Sequence, residues 1–284
     1  MRQHIYYPNN SPTGKLRFAD SSDEDENDDL DLEMMCSLAA NPSKREGLTV
    51  IKGTNTYLNS LNVFVGRQRT GKSYTATREI IKITRNHPES HLIVYINQTG
   101  QPSDDTFENT KELIDRPIVY VQYDHCEKFL RELLSYKETY NKIKDNHAEH
   151  KVPEELKNEL CDKLYIDDLN LPYLHTIVML EDATNTKTLK KDTSYINELM
   201  TQCRHIQTSF FVIIHFWKAL STNLKSNLST IYIYSGYSRQ QLQYILSQMN
   251  IGKTVKEVYD EYRTLGLHDK LMIDSNKCIS RVIK

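Results

Sequence analysis

The sequence predicts an α/β protein with a doubly wound, mostly parallel sheet, and three observations support this fold class. Short runs of β-branched and aromatic residues alternate with segments of helical periodicity. The runs are almost continuously apolar, as expected of parallel strands that helices cover on both faces. One of them, Leu61–Val65, leads directly into a glycine-containing loop and then into a helical segment at 73–81. Strands and helices joined by short connections favour a single α/β sheet.

The individual elements follow from these patterns. The predicted strands share an apolar, β-branched composition and lie at 61–65, 91–96, 117–121, 176–180, 210–214, 230–234 and, as the last strand, 271–273. Three later helices are predicted at 193–203, 239–249 and 255–265. Residues 125–169 are charged, with apolar residues at helical spacing. They predict a helical insertion of two amphipathic helices on the sheet edge, with a dedicated partner-binding insertion as the alternative.

Composition divides the chain into an arm, 1–46, and one domain, 47–284. Nine of the 38 acidic residues lie in 20–33, so the remaining 29 face 36 Lys and Arg residues. Such an acidic run cannot bury apolar surface, and it predicts a disordered arm. Two roles are open for it: a solubilising tail, or an arm that mimics DNA or docks a partner.

Several classes of protein are disfavoured by composition. No apolar run reaches the roughly 18 residues that a membrane span requires, and residues 1–10 lack the apolar stretch of a signal peptide. The five cysteines are scattered and include no C-x-x-C pair. We therefore expect neither a disulfide framework nor a zinc site. We also expect the protein to reside in a reducing compartment.

Residues 66–73, GRQRTGKS, match the phosphate-binding pattern G-x-x-x-x-G-K-[ST] completely. Free backbone N–H groups at a helix start hold phosphate oxygens, so the loop predicts binding of ATP. Lys72 is expected to reach the β- and γ-phosphates, and Ser73 to ligate Mg²⁺. The predicted nucleotide contacts are consecutive along the chain: Gly66, Arg67, Gln68, Arg69, Thr70, Gly71, Lys72, Ser73 and Tyr74.

Polar residues around two later strands are the other catalytic candidates. Glu181 and Asp182 follow the strand 176–180, and ATP hydrolysis needs one carboxylate beside Mg²⁺ and one that activates water. Glu181 is assigned to the metal and Asp182 to the water, with the reverse left open. His215 ends the strand 210–214, where it either contacts the γ-phosphate or caps the strand. Arg204 precedes that strand, either as an arginine finger for a neighbouring subunit or in a surface salt bridge.

Together these residues resemble the FtsK–HerA superfamily of ring-forming DNA translocases, and within it the genome-packaging ATPases of poxviruses, other large DNA viruses and virophages. The resemblance spans about 48–275 and includes GRQRTGKS, IVMLED at 177–182, Arg204-His205 before FFVIIH, the segment 215–234 and the tail 262–274. The chain departs from the usual pattern in the order Glu181-Asp182 and in His215, where Gln is usual.

The resemblance implies a RecA-like ATPase fold and a homo-oligomeric ring that pumps double-stranded DNA into a preformed capsid. It implies partners among capsid or vertex proteins, and a location in viral factories of the host cytoplasm or with the virion. A basic loop, 183–191, leaves the predicted active edge of the sheet, and we expect Lys187, Lys190 and Lys191 to contact DNA backbone phosphates. A solvated loop is the alternative.

Three other functions have been weighed. A GTPase requires an N-K-x-D motif, which the sequence lacks. A nucleotide kinase requires an arginine-rich lid, and no clustered lid of that kind is visible. A non-hydrolysing protein in which ATP only orders a surface for capsid partners is the third alternative.

Overall fold

A computed structural model describes residues 5–6, 53–101, 105–185, 187–191, 193–249 and 251–284. The predicted acidic arm lies outside these ranges, except for Ile5 and Tyr6, which form a short strand. The predicted start of the domain at residue 47 also lies outside them.

Within the described ranges the chain forms one nine-stranded sheet. The strands are β1 (Ile5–Tyr6), β2 (Leu61–Val65), β3 (Ser90–Asn97), β4 (Ile118–Gln122), β5 (His175–Leu180), β6 (Thr208–Ile214), β7 (Thr230–Tyr234), β8 (Lys270–Asp274) and β9 (Ile279–Ile283). Their order is β1-β4-β3-β5-β6-β2-β7-β8-β9. All neighbours from β1 to β7 are parallel, and only the pairs β7–β8 and β8–β9 are antiparallel. The prediction of a mostly parallel α/β sheet is confirmed.

Helices connect these strands. They are α1 (Lys72–Asn86), α2 (Asp105–Thr110), α3 (Tyr123–Asp145), α4 (Glu154–Leu164), α5 (Lys187–Lys190), α6 (Tyr195–Thr201), α7 (Thr222–Ser226), α8 (Arg239–Leu246) and α9 (Val255–Tyr262). The connections between them include short 3₁₀ turns at Lys111–Leu113, Glu149–Lys151, Ala183–Asn185 and Trp217–Ala219.

Alternation along the strands divides the core between the two faces of the sheet. In β2, Leu61, Val63 and Val65 belong to one apolar cluster, and Phe64 belongs to the other. Helix α1 covers the second face with Ile80 and other apolar residues. Both faces are therefore buried, which explains the continuous apolar runs in the sequence.

The two helices predicted within 125–169 are present as α3 and α4. Phe129, Leu133 and Tyr140 of α3 and Leu160 and Leu164 of α4 join the same cluster as Leu61. These helices thus form one covering layer of the sheet, and α3 begins directly after β4. Except for Lys137, which is buried, their charged residues lie on the other sides of the helices and are partly or fully exposed.

Two details differ from the sequence prediction. The strand predicted at 271–273 is not the last, because β9 follows and pairs with β8 through Leu271–Val282 and Ile273–Ser280. Strand β9 was missed because Arg281 interrupts its short apolar pattern. The predicted helices 193–203, 239–249 and 255–265 are each shorter at the carboxyl end. No helix in the described part of the chain is long and apolar enough to cross a membrane.

Candidate functional site

Strands β2, β5 and β6 are parallel neighbours, so the loops that follow them lie on the same side of the sheet. Strand β6 lies between β2 and β5, with Val63 opposite Val212 and Val178 opposite Phe210. The carboxyl ends of β2, β5 and β6 therefore meet at one edge, which we call the carboxyl edge. The loops that follow these strands carry the glycine motif, the two carboxylates and His215 respectively.

The glycine loop, 66–71, is shaped by close backbone approach and by positive φ angles. A Cβ on Gly66 would stand 2.7 Å from Cβ of Tyr234, so only glycine fits there. Gly71 has φ 90° and Arg69 has φ 59°, both in the left-handed region. These residues turn the chain sharply from β2 into the first turn of α1.

The amino end of α1 is open to an anion. Its N-cap is Gly71, which supplies no side-chain hydrogen bond to the helix. A helix of 15 residues presents unpaired N–H groups and a partial positive charge at this end. This geometry fits the β-phosphate position that the sequence predicts for the loop.

Lys72 and Ser73 connect the loop to the two neighbouring strands. The Lys72 ammonium donates to the carbonyl of Arg67 at 2.7 Å, and its Nζ lies 3.3 Å from Nδ1 of His215. The Ser73 hydroxyl donates to Oε1 of Glu181 at 2.8 Å. The structure thus brings Lys72 close to His215, which follows β6, and Ser73 close to Glu181, which follows β5.

The two adjacent carboxylates face different partners. Glu181 is buried beside Ser73, and the Tyr123 hydroxyl donates to its backbone carbonyl at 3.0 Å. Burial, with the nearby Glu181 carboxylate, raises the pKa of Tyr123 well above its ordinary value, so the hydroxyl remains a donor. Asp182 has φ 48° and a side chain that is 54% exposed. The left-handed backbone at Asp182 turns its carboxylate away from Ser73 and toward His215.

His215 contacts the glycine loop, Lys72 and Asp182. Its Nε2 lies 3.2 Å from Oδ1 of Asp182, and its Nδ1 lies 3.2 Å from the carbonyl of Gly66. Its backbone N–H donates to the Thr184 hydroxyl at 2.7 Å, and its carbonyl accepts from Tyr237 at 2.8 Å. Its Nδ1 therefore lies between the Lys72 ammonium and the Gly66 carbonyl, while its Nε2 faces the Asp182 carboxylate.

The donor set fits a magnesium ion. The Ser73 hydroxyl and the Glu181 carboxylate are hard oxygen ligands already within 2.8 Å of each other. Among the described residues there is no cluster of three or more His, Cys, Asp or Glu that could hold a metal alone. An ion held by one carboxylate, one hydroxyl, waters and phosphate oxygens matches the usual environment of Mg²⁺.

A cavity of about 890 Å³ opens beside the loop and extends along α1 toward β8 and β9. Its volume is within the range of small-molecule sites. Six cationic side chains line it, against one carboxylate, Glu79: Arg69, Lys72, Arg78, Lys82, Lys270 and Lys284. A polyanionic ligand of nucleotide size is therefore favoured at this place.

Arg204 lies away from the site of its own chain. It precedes the amino end of β6, whereas the glycine loop follows the carboxyl end of the parallel strand β2. One strand length, roughly 20 Å, separates the two ends. Arg204 is exposed, and among the described residues no acidic partner forms an ion pair with it. The surface salt bridge considered as an alternative is thus unsupported.

The loop predicted to contact DNA, 183–191, begins beside this site. Hydrogen bonds from Asn197 and Ser221 hold its far end. Lys190 and Lys191 are exposed, whereas Thr186 and the side chain of Lys187 lie outside the described residues. The buried Asn197 donates from Nδ2 to the carbonyl of Lys191, at 2.5 Å. The Ser221 N–H donates to the carbonyl of Leu189 at 2.9 Å.

Sequence reasoning assigned no positioning role to four residues that hold the site in place. These residues are Tyr123, Thr184, Asn197 and Tyr237. They are ordinary polar residues in segments without a motif, and only the fold brings them beside the candidates. The one available signal was position, since Thr184 follows the acidic pair by two residues.

No protein-family model matches the chain, and no curated protein matches it. Solved structures do. The DNA-packaging ATPase B204 of Sulfolobus turreted icosahedral virus superposes with a TM-score of 0.52 and 13% identity, over 80% of this chain and 97% of that chain. Its fold is shared. The genome packaging NTPase B204 of Sulfolobus turreted icosahedral virus 2, in complex with sulfate, gives 0.51 and 17% over 79% and 96%.

A complex of the second protein with ATP-γS gives a TM-score of 0.51 and 15% identity, over 80% of this chain and 97% of that chain. At such identities the likeness shows the fold. This chain has the fold of a phosphate-loop ATPase. The RecA-like architecture that the family resemblance implied is therefore confirmed.

Proposed function

We propose that this chain is an ATPase that moves double-stranded DNA and packages a viral genome into a preformed capsid. One observation carries the proposal: after three separate strands the chain brings Ser73 to Glu181, and Lys72 and Asp182 to His215, each pair within hydrogen-bond distance. The structures that share the fold include proteins named as genome-packaging NTPases, one of them in complex with ATP-γS.

The site residues divide the work of ATP hydrolysis among them. The N–H groups at the start of α1 and the Lys72 ammonium hold the β- and γ-phosphates, which requires Lys72 to leave the Arg67 carbonyl. Ser73 and Glu181 would hold Mg²⁺, which supplies charge neutralisation between the β- and γ-phosphate oxygens. These contacts fix the γ-phosphorus in front of Asp182 and His215.

Asp182 is then placed to activate the attacking water. Its carboxylate is more exposed than that of Glu181, and its Oδ1 lies 3.2 Å from Nε2 of His215. The water oxygen bonds to the γ-phosphorus, the bond to the β,γ-bridging oxygen breaks, and the water proton passes to Asp182. His215 orients that carboxylate and lies beside Lys72 on the γ-phosphate side.

Arg204 is proposed to act in a neighbouring subunit. Its position at the opposite end of β6 excludes contact with its own nucleotide, and its guanidinium is exposed. In a homo-oligomeric ring this surface would face the carboxyl edge of the next copy, where a guanidinium stabilises the transferring phosphoryl group. Ring formation is thus part of the proposal.

The DNA contact is proposed at Lys187, Lys190 and Lys191. A packaging motor must move any sequence, and backbone-phosphate contacts need charge without base readout. The hydrogen bond from His215 to Thr184 links the γ-phosphate side of the site to the start of this loop. Capsid or vertex proteins are the proposed docking partners, in viral factories of the host cytoplasm and in the virion.

Turnover with and without DNA tests the function. Purified protein should hydrolyse ATP faster when double-stranded DNA is added, and Lys72→Ala protein provides the zero level. A nucleotide kinase would instead require a small phosphate acceptor, and a non-hydrolysing assembly protein would turn over negligibly. Either of these outcomes excludes the motor.

A lysine-to-alanine series tests the DNA loop. Replacing Lys187, Lys190 and Lys191 should remove DNA stimulation and reduce the slope of DNA affinity against salt by roughly one per lost phosphate contact. The control carries the same change of charge on exposed lysines elsewhere: Lys142, Lys151 and Lys256. Equal salt slopes in the two triple variants would contradict the assignment.

A further inference from the structure

Lys137 of α3 is an ammonium group buried inside the protein. The residue is 2% exposed and faces the amino ends of β5 and β6. Its Nζ donates to the carbonyls of Ile206 and Gln207, each at 2.8 Å, and to the hydroxyl of Thr176 at 3.2 Å. No carboxylate is among its hydrogen-bond partners in the described part of the chain.

Burial of this charge opposes folding stability. Desolvation lowers the pKa of Lys137 well below its ordinary value, because the charged form loses its water. An apolar side chain of similar volume at such a place is often neutral or stabilising. Lys137 also lies on the apolar side of α3, between Leu133 and Tyr140, where a leucine or methionine would pack. Because stability does not explain a lysine at this position, we look for its role in the groups that it binds, the carbonyls of Ile206 and Gln207.

Lys137 holds the turn that carries Arg204. Gln207 has φ 48°, a left-handed conformation that is unfavourable for a residue with a side chain. The turn is closed by two backbone hydrogen bonds, from Gln207 to Arg204 at 3.3 Å and from Thr208 to Cys203 at 2.9 Å. The two carbonyls that this conformation directs inward, those of Ile206 and Gln207, are the ones that Lys137 binds.

We propose that Lys137 is a positioning residue that fixes the turn 203–207, so that Arg204 is presented in one orientation to the nucleotide of the neighbouring subunit. This inference rests on the proposed function, in which Arg204 acts across a ring interface. A guanidinium that must meet a transferring phosphoryl group depends on its position to within about 1 Å. Without Lys137 each inward carbonyl keeps one other donor, the Thr208 hydroxyl for Ile206 and the Thr176 N–H for Gln207, but both lose the ammonium that ties them to α3.

Mixed-ring kinetics test the proposal with Lys137→Met, which keeps the side-chain length and removes the charge. We expect kcat to fall roughly tenfold to a hundredfold, while KM for ATP stays near wild type because the variant's own nucleotide site is intact. The matched control is Lys142→Met on the same helix, whose side chain is 70% exposed. It should keep wild-type kcat.

Mixing separates positioning of Arg204 from a general structural role. In equal mixtures of Lys137→Met and Lys72→Ala subunits, about a quarter of the interfaces join an intact nucleotide site to an intact Arg204 turn. Activity should recover accordingly, as it should for Arg204→Ala mixed with Lys72→Ala. Mixtures of Lys137→Met with Arg204→Ala should show no recovery, since both variants lack the same element.

Three results would overturn the inference: wild-type kcat in Lys137→Met, recovery with Arg204→Ala, or failure to recover with Lys72→Ala when Arg204→Ala does recover. If Arg204→Ala itself keeps full activity, its role in trans is wrong, and the inference falls with it. Should Lys137→Met not fold, Lys137→Leu also removes every donor at this position, and the same outcomes apply to it. DNA-stimulated turnover of the wild type reports on the proposed function separately.

Discussion

Polar side chains lie at the carboxyl edge of the sheet and also at the opposite edge, where the parallel strands begin, which we call the amino edge. The two groups of side chains differ in their contacts and in their exposure. At the amino edge, His87, Ser90, His175 and Ser209 form a chain of hydrogen bonds with distances of 3.1, 2.7 and 2.9 Å. His175 and Ser209 are completely buried. At the carboxyl edge, Lys72, Asp182 and His215 contact one another beside an open cavity and a helix amino end.

The difference shows what distinguishes a site from a polar core. Groups at the amino edge satisfy one another and exclude water, so they stabilise the fold. At the carboxyl edge, strained backbone at Arg69 and Asp182 keeps polar groups within reach of a ligand. We therefore expect substitutions at the carboxyl edge to reduce activity with little loss of stability, and substitutions in the buried chain of hydrogen bonds from His87 to Ser209 to do the reverse.

The largest effect is expected for Lys72→Ala. The substitution removes the charge that holds the β- and γ-phosphates, so ATP hydrolysis should fall by about a thousandfold or more and nucleotide affinity should weaken. The thermal midpoint should change little. Steady-state turnover and calorimetric melting measure the two quantities, with exposed Lys256→Ala as the control. Wild-type turnover in Lys72→Ala would exclude this loop as the site.

The second largest effect separates the two carboxylates. Asp182→Asn keeps the size but removes the base, so ATP should remain bound while turnover falls about a hundredfold or more. Glu181→Gln should weaken both the response to Mg²⁺ and the affinity for ATP, because Glu181 contacts Ser73. Magnesium titrations with a fluorescent ATP analogue distinguish them. Binding lost in Asp182→Asn and kept in Glu181→Gln would reverse the two assignments.

At the amino edge, His175→Ala is expected to lower the free energy of unfolding by about 2–3 kcal/mol, because it leaves a cavity and two hydroxyls without their partner. His175 hydrogen-bonds to Ser90 and Ser209, far from the carboxyl edge. Below the melting range, KM for ATP should be unchanged. Urea unfolding and ATPase assays provide the measurement. A raised KM without loss of stability would contradict the comparison.

The smallest effect concerns pH. Burial, assisted by the Lys137 charge, lowers the pKa of His91 to about 3, and it lowers the pKa of His175 well below its ordinary value. In the unfolded chain both titrate near 6.5. As pH falls below about 6.5, the unfolded state binds protons that the folded state does not. Stability should therefore decrease with a slope of up to about 1.4 kcal/mol per pH unit for each histidine.

Urea unfolding at a series of pH values between 7 and 5 tests this slope, and His91→Phe should make it shallower by removing one titrating group. Above about pH 7 the stability of both proteins should be independent of these histidines. Identical slopes in wild type and His91→Phe would show that His91 does not contribute.

Much of the carboxyl edge was predictable from the sequence. The motif at 66–73 by itself predicts phosphate binding. The apolar strand patterns predict that 176–180 and 210–214 run parallel to 61–65. Parallel strands place their carboxyl ends together, so Glu181, Asp182 and His215 were expected near Lys72. Almost nothing of the amino edge was predictable, because a serine or histidine at a strand start carries no pattern.

The sequence by itself determined the fold class, the phosphate loop and the order of the candidate residues, because hydrophobic periodicity and glycine spacing are local properties. Only the tertiary structure decided which partner each polar side chain meets. Ser73 meets Glu181, whereas Asp182, with φ 48°, meets His215. Lys137, one of many lysines in a charged segment, became a buried donor because α3 lies across the start of β6. Such contacts depend on packing between segments distant in sequence, which no local pattern records.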